Sequence, residues 1–337
     1  MPKASLRDIR KRIASIRSTQ QITKAMKMVA AARLRRAQES ILATRPYATK
    51  MLEVLSSLAA RTSADAHPLL ARREPKRIEV VVFTSDRGLC GAFNTNLIQR
   101  AERFLGEEKA NTDEIALSLI GRKGRDYFRK RKVSIRREYI NFFGKVDYPL
   151  ASRIGQELVQ AYSQKQVDGI YLLYSEFRSA IQQAVVLKKI LPVTPKVPDA
   201  GEKLPALSAP PLEKGGAAVE YIYEPSEGEI LDKLLPMYVE VQVYQALLES
   251  VASEYGARMT AMENATNNAA EMIEKLTLIY NKARQAAITK ELIEIVSGAE
   301  ALKDDKGGAG DLLLEHLTPL HLFPENLDPG DRAASRL

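Results

Sequence analysis

Ser85-Asp86-Arg87-Gly88-Leu89-Cys90-Gly91 is the stretch of this chain best placed to do chemistry. It follows an apolar run, Ile78–Phe83, and precedes a helical pattern, which is where doubly wound proteins bind phosphates. The spacing is neither Gly-x-Gly-x-x-Gly nor Gly-x4-Gly-Lys-Ser/Thr, and no other segment supplies a P-loop. The blander reading is a tight turn that needs its glycines, with Ser85 or Asp86 capping the following helix, and that reading is preferred. Cys90 has Arg87 close by, which lowers a thiol pKa, but no histidine near it in sequence to serve as a base. A buried, inert thiol is expected. Gly121-Arg122-Lys123-Gly124 with Arg129-Lys130-Arg131-Lys132 could grip phosphate, but reads first as one solvated helix face. Three histidines (His67, His316, His321) and a single cysteine leave little for zinc, and no paired-carboxylate motif is present. No active site, metal or cofactor is expected.

The elements around that turn fall into an α/β pattern. Ile78–Phe83, Ile115–Ile120 and Gly169–Tyr174 are apolar β runs, and Val133–Ile140 alternates. Helical stretches fall between them at Asn94–Glu108, Lys123–Lys132 and Leu150–Gln164. Strand–helix alternation predicts βαβ units in a largely parallel sheet over residues 76–192. Residues 193–225 hold six prolines and read as a loop or flap that returns through Tyr221–Pro225.

On either side lie two long heptad-bearing helices, over residues 1–60 and 230–302. In the first, Leu6, Ile9, Ile13 and Ile16 form a stripe; Gln20 takes a core slot, and Ile22, Met26 and Val29 resume on a shifted one. In the second, Val241, Tyr244, Leu248, Val251 and Tyr255 are followed by Ala269, Met272, Leu276, Ile279 and Ala283. Sustained heptads call for a facing helix. Residues 237–302 would form a rod on the order of 100 Å long, so it must project. Gln20, Thr23, Thr266, Asn267 and Asn268 put polar groups at the seam, where they fix register at a cost in stability. The expected fold is α/β: a long antiparallel coiled coil of the N- and C-terminal helices with an inserted Rossmann-like α/β domain. A parallel intermolecular coiled coil is the rival arrangement.

Composition narrows the setting. The 337 residues are 45% apolar and 27% charged, ordinary for a folded protein, and no apolar run approaches the ~20 residues that span a bilayer. Residues 1–50 carry thirteen basic residues and two acids, a charge of +11, so the rest of the chain carries −3 against the total of +8. Such a start suits acidic surroundings: nucleic acid, anionic lipid or a protein collar. A transit peptide is disfavoured because the helical pattern runs far past a presequence. A basic coiled-coil nucleic-acid-binding protein is the competing class, but the heptad seams bury one side of each rod and Tyr47 is the sole aromatic in residues 1–50. A Rossmann-type enzyme is a third reading, weakened by the missing phosphate fingerprint.

Several blocks, in order, resemble one family. Ser5–Gln38, with Thr19-Gln20-Gln21-Ile22-Thr23-Lys24-Ala25-Met26-Lys27-Met28-Val29-Ala30, is similar to the N-terminal helix of the gamma subunit of F-type ATP synthases. The turn Ser85–Gly91 resembles that family's turn after its first strand. Ser253–Met259 and Tyr280–Thr289, with Glu291 and Glu294–Ala299, resemble it too. The resemblance spans residues 5–302 and implies a rotor shaft. Its terminal helices would sit inside a hexamer of alpha and beta subunits, its foot on the c-subunit ring with the epsilon subunit. Nucleotide sites would then belong to alpha and beta. By the same resemblance Lys24, Met26 and Lys27 would face the acidic lever of beta, and Arg284, Gln285 and Thr289 a catch loop in beta. Tyr223 and Glu224 would lie near the c ring. The implied location is peripheral, on the cytoplasmic face of a bacterial inner membrane, held there through the complex. An N-terminus matching from near Met1 and the absence of an inserted cysteine pair favour a bacterial rather than a chloroplast relative. Residues 303–337 depart from the family pattern, with seven acids, four bases and a Gly307-Gly308 break. This tail is expected to be mobile and inert, and a chain lacking it to assemble normally.

Overall fold

The computed structural model describes residues 5–61, 67–141, 146–194 and 226–304. Among these residues there are five helices and five strands in the order α1 (Leu6–Arg61), β1 (Arg77–Phe83), α2 (Phe93–Glu108), β2 (Glu114–Ile120), α3 (Arg122–Phe128), β3 (Ser134–Tyr139), α4 (Tyr148–Ser163), β4 (Gly169–Phe177), β5 (Gln183–Leu191) and α5 (Glu227–Asp304). The expected flap and return strand, the tail beyond Asp304, and Tyr223 and Glu224 lie outside the described residues. One compact unit comprises Ile16–Glu271; a second combines the chain's first fifteen residues with Met272 onward.

Within the larger unit the sheet order is β3-β2-β1-β4-β5, with β1 parallel to both β2 and β4. Apart from Glu79, β1 reads as one apolar run after Arg77 because both its faces are covered. Ile78, Val80 and Val82 pack with Leu97, Phe104 and Phe128 of α2 and α3. Val81 and Phe83 pack on the other face, with Ile154 and Leu158 of α4 and Val239, Val243 and Leu247 of α5. Glu79, on that same β1, is fully buried and ion-paired to Arg136 at 3.1 Å and Arg137 at 3.2 Å. A buried carboxylate without such partners would cost several kcal/mol.

β5 has no counterpart in the sequence reading. It pairs antiparallel with β4 at the sheet edge, and most of its residues are only half-buried. Lys188 and Lys189 break the alternation that would have marked it. The second sheet helix, α3, is also shorter than Lys123–Lys132, ending at Phe128.

Both long helices pass through a proline, Pro46 in α1 and Pro236 in α5. An interior proline removes a hydrogen bond and crowds the preceding turn, at ~3 kcal/mol. Packing offsets this: Met51, Leu55 and Leu58 after Pro46, and Leu235 and Val239 around Pro236, are buried.

Within the larger unit α1 and α5 run antiparallel. Lys27 meets Glu263 at 2.6 Å, Arg33 meets Tyr255 at 3.2 Å and Tyr47 meets Met237 at 3.7 Å, so partner numbers fall as α1 numbers rise. The seam runs straight through its polar positions. Thr23 is buried and its hydroxyl lies 2.8 Å from that of Thr266. Ala30, Leu34 and Ala37 continue the stripe. The shifted stripe expected through Ile22 and Val29 is not the seam: these residues are 57% and 55% exposed. The smaller unit holds the beginning of α1 and the end of α5. Arg10 there hydrogen-bonds the Tyr280 hydroxyl and stacks over its ring. The α5 stripe in that unit is Ile273, Leu276, Tyr280, Ala283 and Ala287, all partly buried. Met272 and Ile279, expected in it, are 51% and 53% exposed. On α1 the outward Ile22 and Val29 stand one position, about 100°, from the inward Thr23 and Ala30, and on α5 the outward Met272 and Ile279 stand likewise beside the inward Ile273 and Tyr280.

Candidate functional site

The turn after β1 is held from every side. Leu89 and Gly91, rather than Gly88, take the left-handed conformation (φ 66° and 56°). The Asn94 side-chain carbonyl accepts from the Ser85 amide at 2.9 Å, and its amide donates to the Ser85 hydroxyl at 2.8 Å. Asp86 caps a helix, but α3 rather than α2: one carboxylate oxygen accepts from the amides of Arg122 (3.0 Å) and Asn141 (2.9 Å). The next α3 amides are also taken, Lys123 by the Ser85 carbonyl (3.0 Å) and Gly124 by the Thr84 hydroxyl (2.9 Å). A phosphate there would have to displace protein acceptors. Gly121 (φ 92°) allows the close approach, since a Cβ would sit 1.9 Å from the Thr84 carbonyl oxygen. Cys90 is buried, and burial pushes its thiol pKa up, opposite to what a nucleophile needs. Of the basic run after α3, Arg129 pairs with Glu138 and Arg131 with Glu102.

α5 occupies the crevice at the carboxyl ends of the strands. Arg258 donates to the Gly88 carbonyl at 2.9 Å and is ion-paired with Glu254. Ser253 donates to the Ser175 carbonyl at 2.9 Å, and Glu249 accepts from the Phe177 amide at 2.8 Å. A doubly wound sheet usually offers this place to a ligand; here the chain fills it with its own helix. Arg258 lay inside a family-like block, but nothing in its spacing announced the clamp on Gly88.

What remains open is a cleft of about 690 Å3 between α1, the turn and α5. Ile22, Met26 and Val29 form its apolar wall; Arg33, Arg87, Arg122 and Arg258 face Glu254 and Asp86 around it. Met26 is half-buried at this wall. Lys24 is exposed, and Lys27 is already paired with Glu263; both line a second hollow of about 370 Å3 with Gln20, Gln21, Thr266 and Asn267. In the smaller unit Arg284, Gln285 and Thr289 are exposed on α5, with Gln285 and Thr289 one turn apart on one face. Among the described residues no group of acidic, histidine or cysteine side chains could hold a metal ion, and no helix is long and apolar enough to cross a membrane.

Two long helices flanking an α/β sheet in the chain define the class, and comparison with known proteins defines the family. A family model described as ATP synthase matches residues 5–302. An ATP synthase gamma chain of Geobacter sp. (strain M21) is 52% identical over 300 residues, covering 89% of this chain and 99% of the relative. One from Anaeromyxobacter sp. (strain Fw109-5) is 54% identical over 303 residues, with the same coverage. A chain in the central stalk and c-ring structure of Tetrahymena thermophila mitochondrial ATP synthase is 28% identical, with 72% of this chain and 99% of that one covered and a TM-score of 0.52. A chain of the Euglena gracilis mitochondrial ATP synthase, in an F1 and c-ring assembly, shares the fold at 22% identity and a TM-score of 0.63, over 91% of this chain and 97% of that one. The chain belongs to the ATP synthase gamma-chain family.

Proposed function

We propose that the chain is the central-stalk rotor of an F-type ATP synthase and couples rotation of a membrane c ring to the catalytic sites of a surrounding hexamer. The observation that carries this is identity near one half across the full length of bacterial gamma chains. The outward stripes support it. Ile22 and Val29 on α1, and Leu278 and Ile279 on α5, are large apolar residues left 53–69% exposed beside exposed Lys24 and Arg284. Such surfaces suit partners with apolar and acidic faces.

The chain needs no chemistry of its own for this task. An asymmetric shaft makes different contacts with open and closed catalytic subunits, and each orientation shifts their populations by that difference in contact energy. The coupling is reciprocal, so hydrolysis can drive the shaft backwards. Met26 with Lys24, and Arg284 with Gln285 and Thr289, are the proposed contacts to beta. Lys27 is a weaker candidate, because Glu263 already satisfies its charge. Tyr223 and Glu224 are proposed for the foot, next to the c ring and the epsilon subunit. The working location is the cytoplasmic face of the bacterial inner membrane, reached through the complex rather than through a span of this chain.

The test is Arg284→Ala in the reconstituted complex. Removing an exposed guanidinium that makes charge-assisted bonds only to a partner should leave folding unchanged. It should lower the protons pumped per ATP hydrolysed several-fold. An unchanged ratio would defeat the assignment of Arg284. Failure of the wild-type chain to form a complex with alpha and beta subunits would defeat the rotor reading itself.

A further inference from the structure

The last four turns of α5 carry an apolar stripe that nothing described here covers. Ile288, Leu292, Ile295, Ala299 and Leu302 recur at steps of four, three, four and three, and the four large ones are 46%, 57%, 68% and 69% exposed. Ile293 (59%) and Val296 (59%) widen it. That period is the seam of a coiled coil with its partner absent. In water it is an apolar face of the kind that drives self-association.

The chain does not stop where the stripe stops. Residues 305–337 follow directly from the end of α5, and they lie beyond the range that the family model matches. They are rich in large apolar residues, including Leu312, Leu313, Leu314, Leu317, Leu320 and Phe323. They also carry six acids and three bases, a charge of −3. The start of α1, in the same compact unit as the stripe, carries the opposite sign. Residues 5–15 hold Arg7, Arg10, Lys11 and Arg12 against Asp8, a charge of +3. Reach is not limiting. Thirty-three residues extend up to about 110 Å, whereas Ile288 to Leu302 spans about 21 Å of helix. Attachment at the edge of the stripe gives an effective concentration on the order of millimolar.

We infer that residues 305–337 dock on the Ile288–Leu302 stripe of α5 and shield it in the free chain until a partner displaces them. The tail thus acts before assembly. Its occupancy depends on the apolar face of α5 and not on any contact with catalytic subunits, so the inference stands apart from the rotor reading.

Hydrogen–deuterium exchange on the full chain and on a chain ending at Asp304 tests it, reading peptides from residues 285–302. These amides should exchange at least tenfold more slowly in the full chain, independently of protein concentration, and the truncated chain should self-associate. A full-length Leu312→Asp, Leu313→Asp, Leu317→Asp chain should behave like the truncated one. Equal exchange in the full and truncated chains would overturn the inference. So would protection that grows with concentration in both, since a second copy would then be the cover.

Discussion

Two stretches of α5 obey different rules although they belong to one continuous helix. Between Val239 and Gly256 it is buried almost all the way round: Val239, Val243, Leu247 and Ala252 have no exposed surface. From Leu278 to Leu302 it still carries large apolar residues, and Leu278, Ile279, Leu292, Ile295 and Leu302 are more than half exposed. A helix apolar on every side is normally interior. The first stretch is covered by its own chain; among the described residues nothing covers the second. Large apolar residues occur in both, so their presence alone does not decide which stretch is interior.

The largest effect that could break this comparison is at Leu247. Leu247→Ala removes a fully buried side chain beneath the sheet and leaves a cavity, which should destabilise the Ile16–Glu271 unit by about 3 kcal/mol. The midpoint of urea denaturation reads it directly. A loss below about 1 kcal/mol would mean that this half of α5 collapses around the deletion and is less closely packed than its burial indicates.

Much of this division was legible in the residues. The four parallel strands, their intervening helices and the two long helices follow from periodicity, because a doubly covered strand and a paired helix leave strong signals. The misplaced helix stripes share one cause. Ile22 and Val29 on α1, and Met272 and Ile279 on α5, belong to apolar stripes that face outward, while the inner seam runs through Thr23 and Thr266. A period reports that a face wants covering; it does not say whether this chain or another one covers it. β5 was missed for the opposite reason, since an edge strand carrying Lys188 and Lys189 barely declares a face. The clamp of Arg258 on Gly88 joins residues 170 positions apart, beyond the reach of any local pattern.

A second effect, of middle size, sharpens the contrast through pH. Glu249 on the buried half of α5 faces Glu176 on β4, Lys188 on β5 and Arg45 on α1, and burial raises its carboxyl pKa from 4.5 to about 7. The folded state therefore binds this proton more tightly than the unfolded chain does. The resulting stabilisation is complete below pH 4.5 and is lost as pH rises through 7. Glu249→Gln keeps an acceptor for the Phe177 amide but removes the titration. The part of the stability–pH slope between pH 4.5 and 7 that belongs to this group, on the order of 3 kcal/mol in total, should vanish in the variant. An unaltered slope would place Glu249 in a wetter setting than its packing indicates.

The smallest effect carries the most information. Leu278 is as large as Leu247 and sits on the same helix, yet it is 69% exposed and its neighbour Ile279 is 53% exposed. Leu278→Ala should change the stability of the isolated chain by less than about 0.5 kcal/mol, since little apolar surface returns to water and no cavity forms. The same substitution in the assembled complex should weaken retention of the chain, because a partner's apolar face would lose its counterpart. Both halves are measurable on one preparation, by urea denaturation of the free chain and by its rate of loss from the complex. A cost above 1 kcal/mol in the free chain would show Leu278 already buried there, and α5 would then be one internal element along its whole length. No change in either measurement would leave the exposed stripe without a tenant at this position, confining the outward contacts to the turns nearer Arg284.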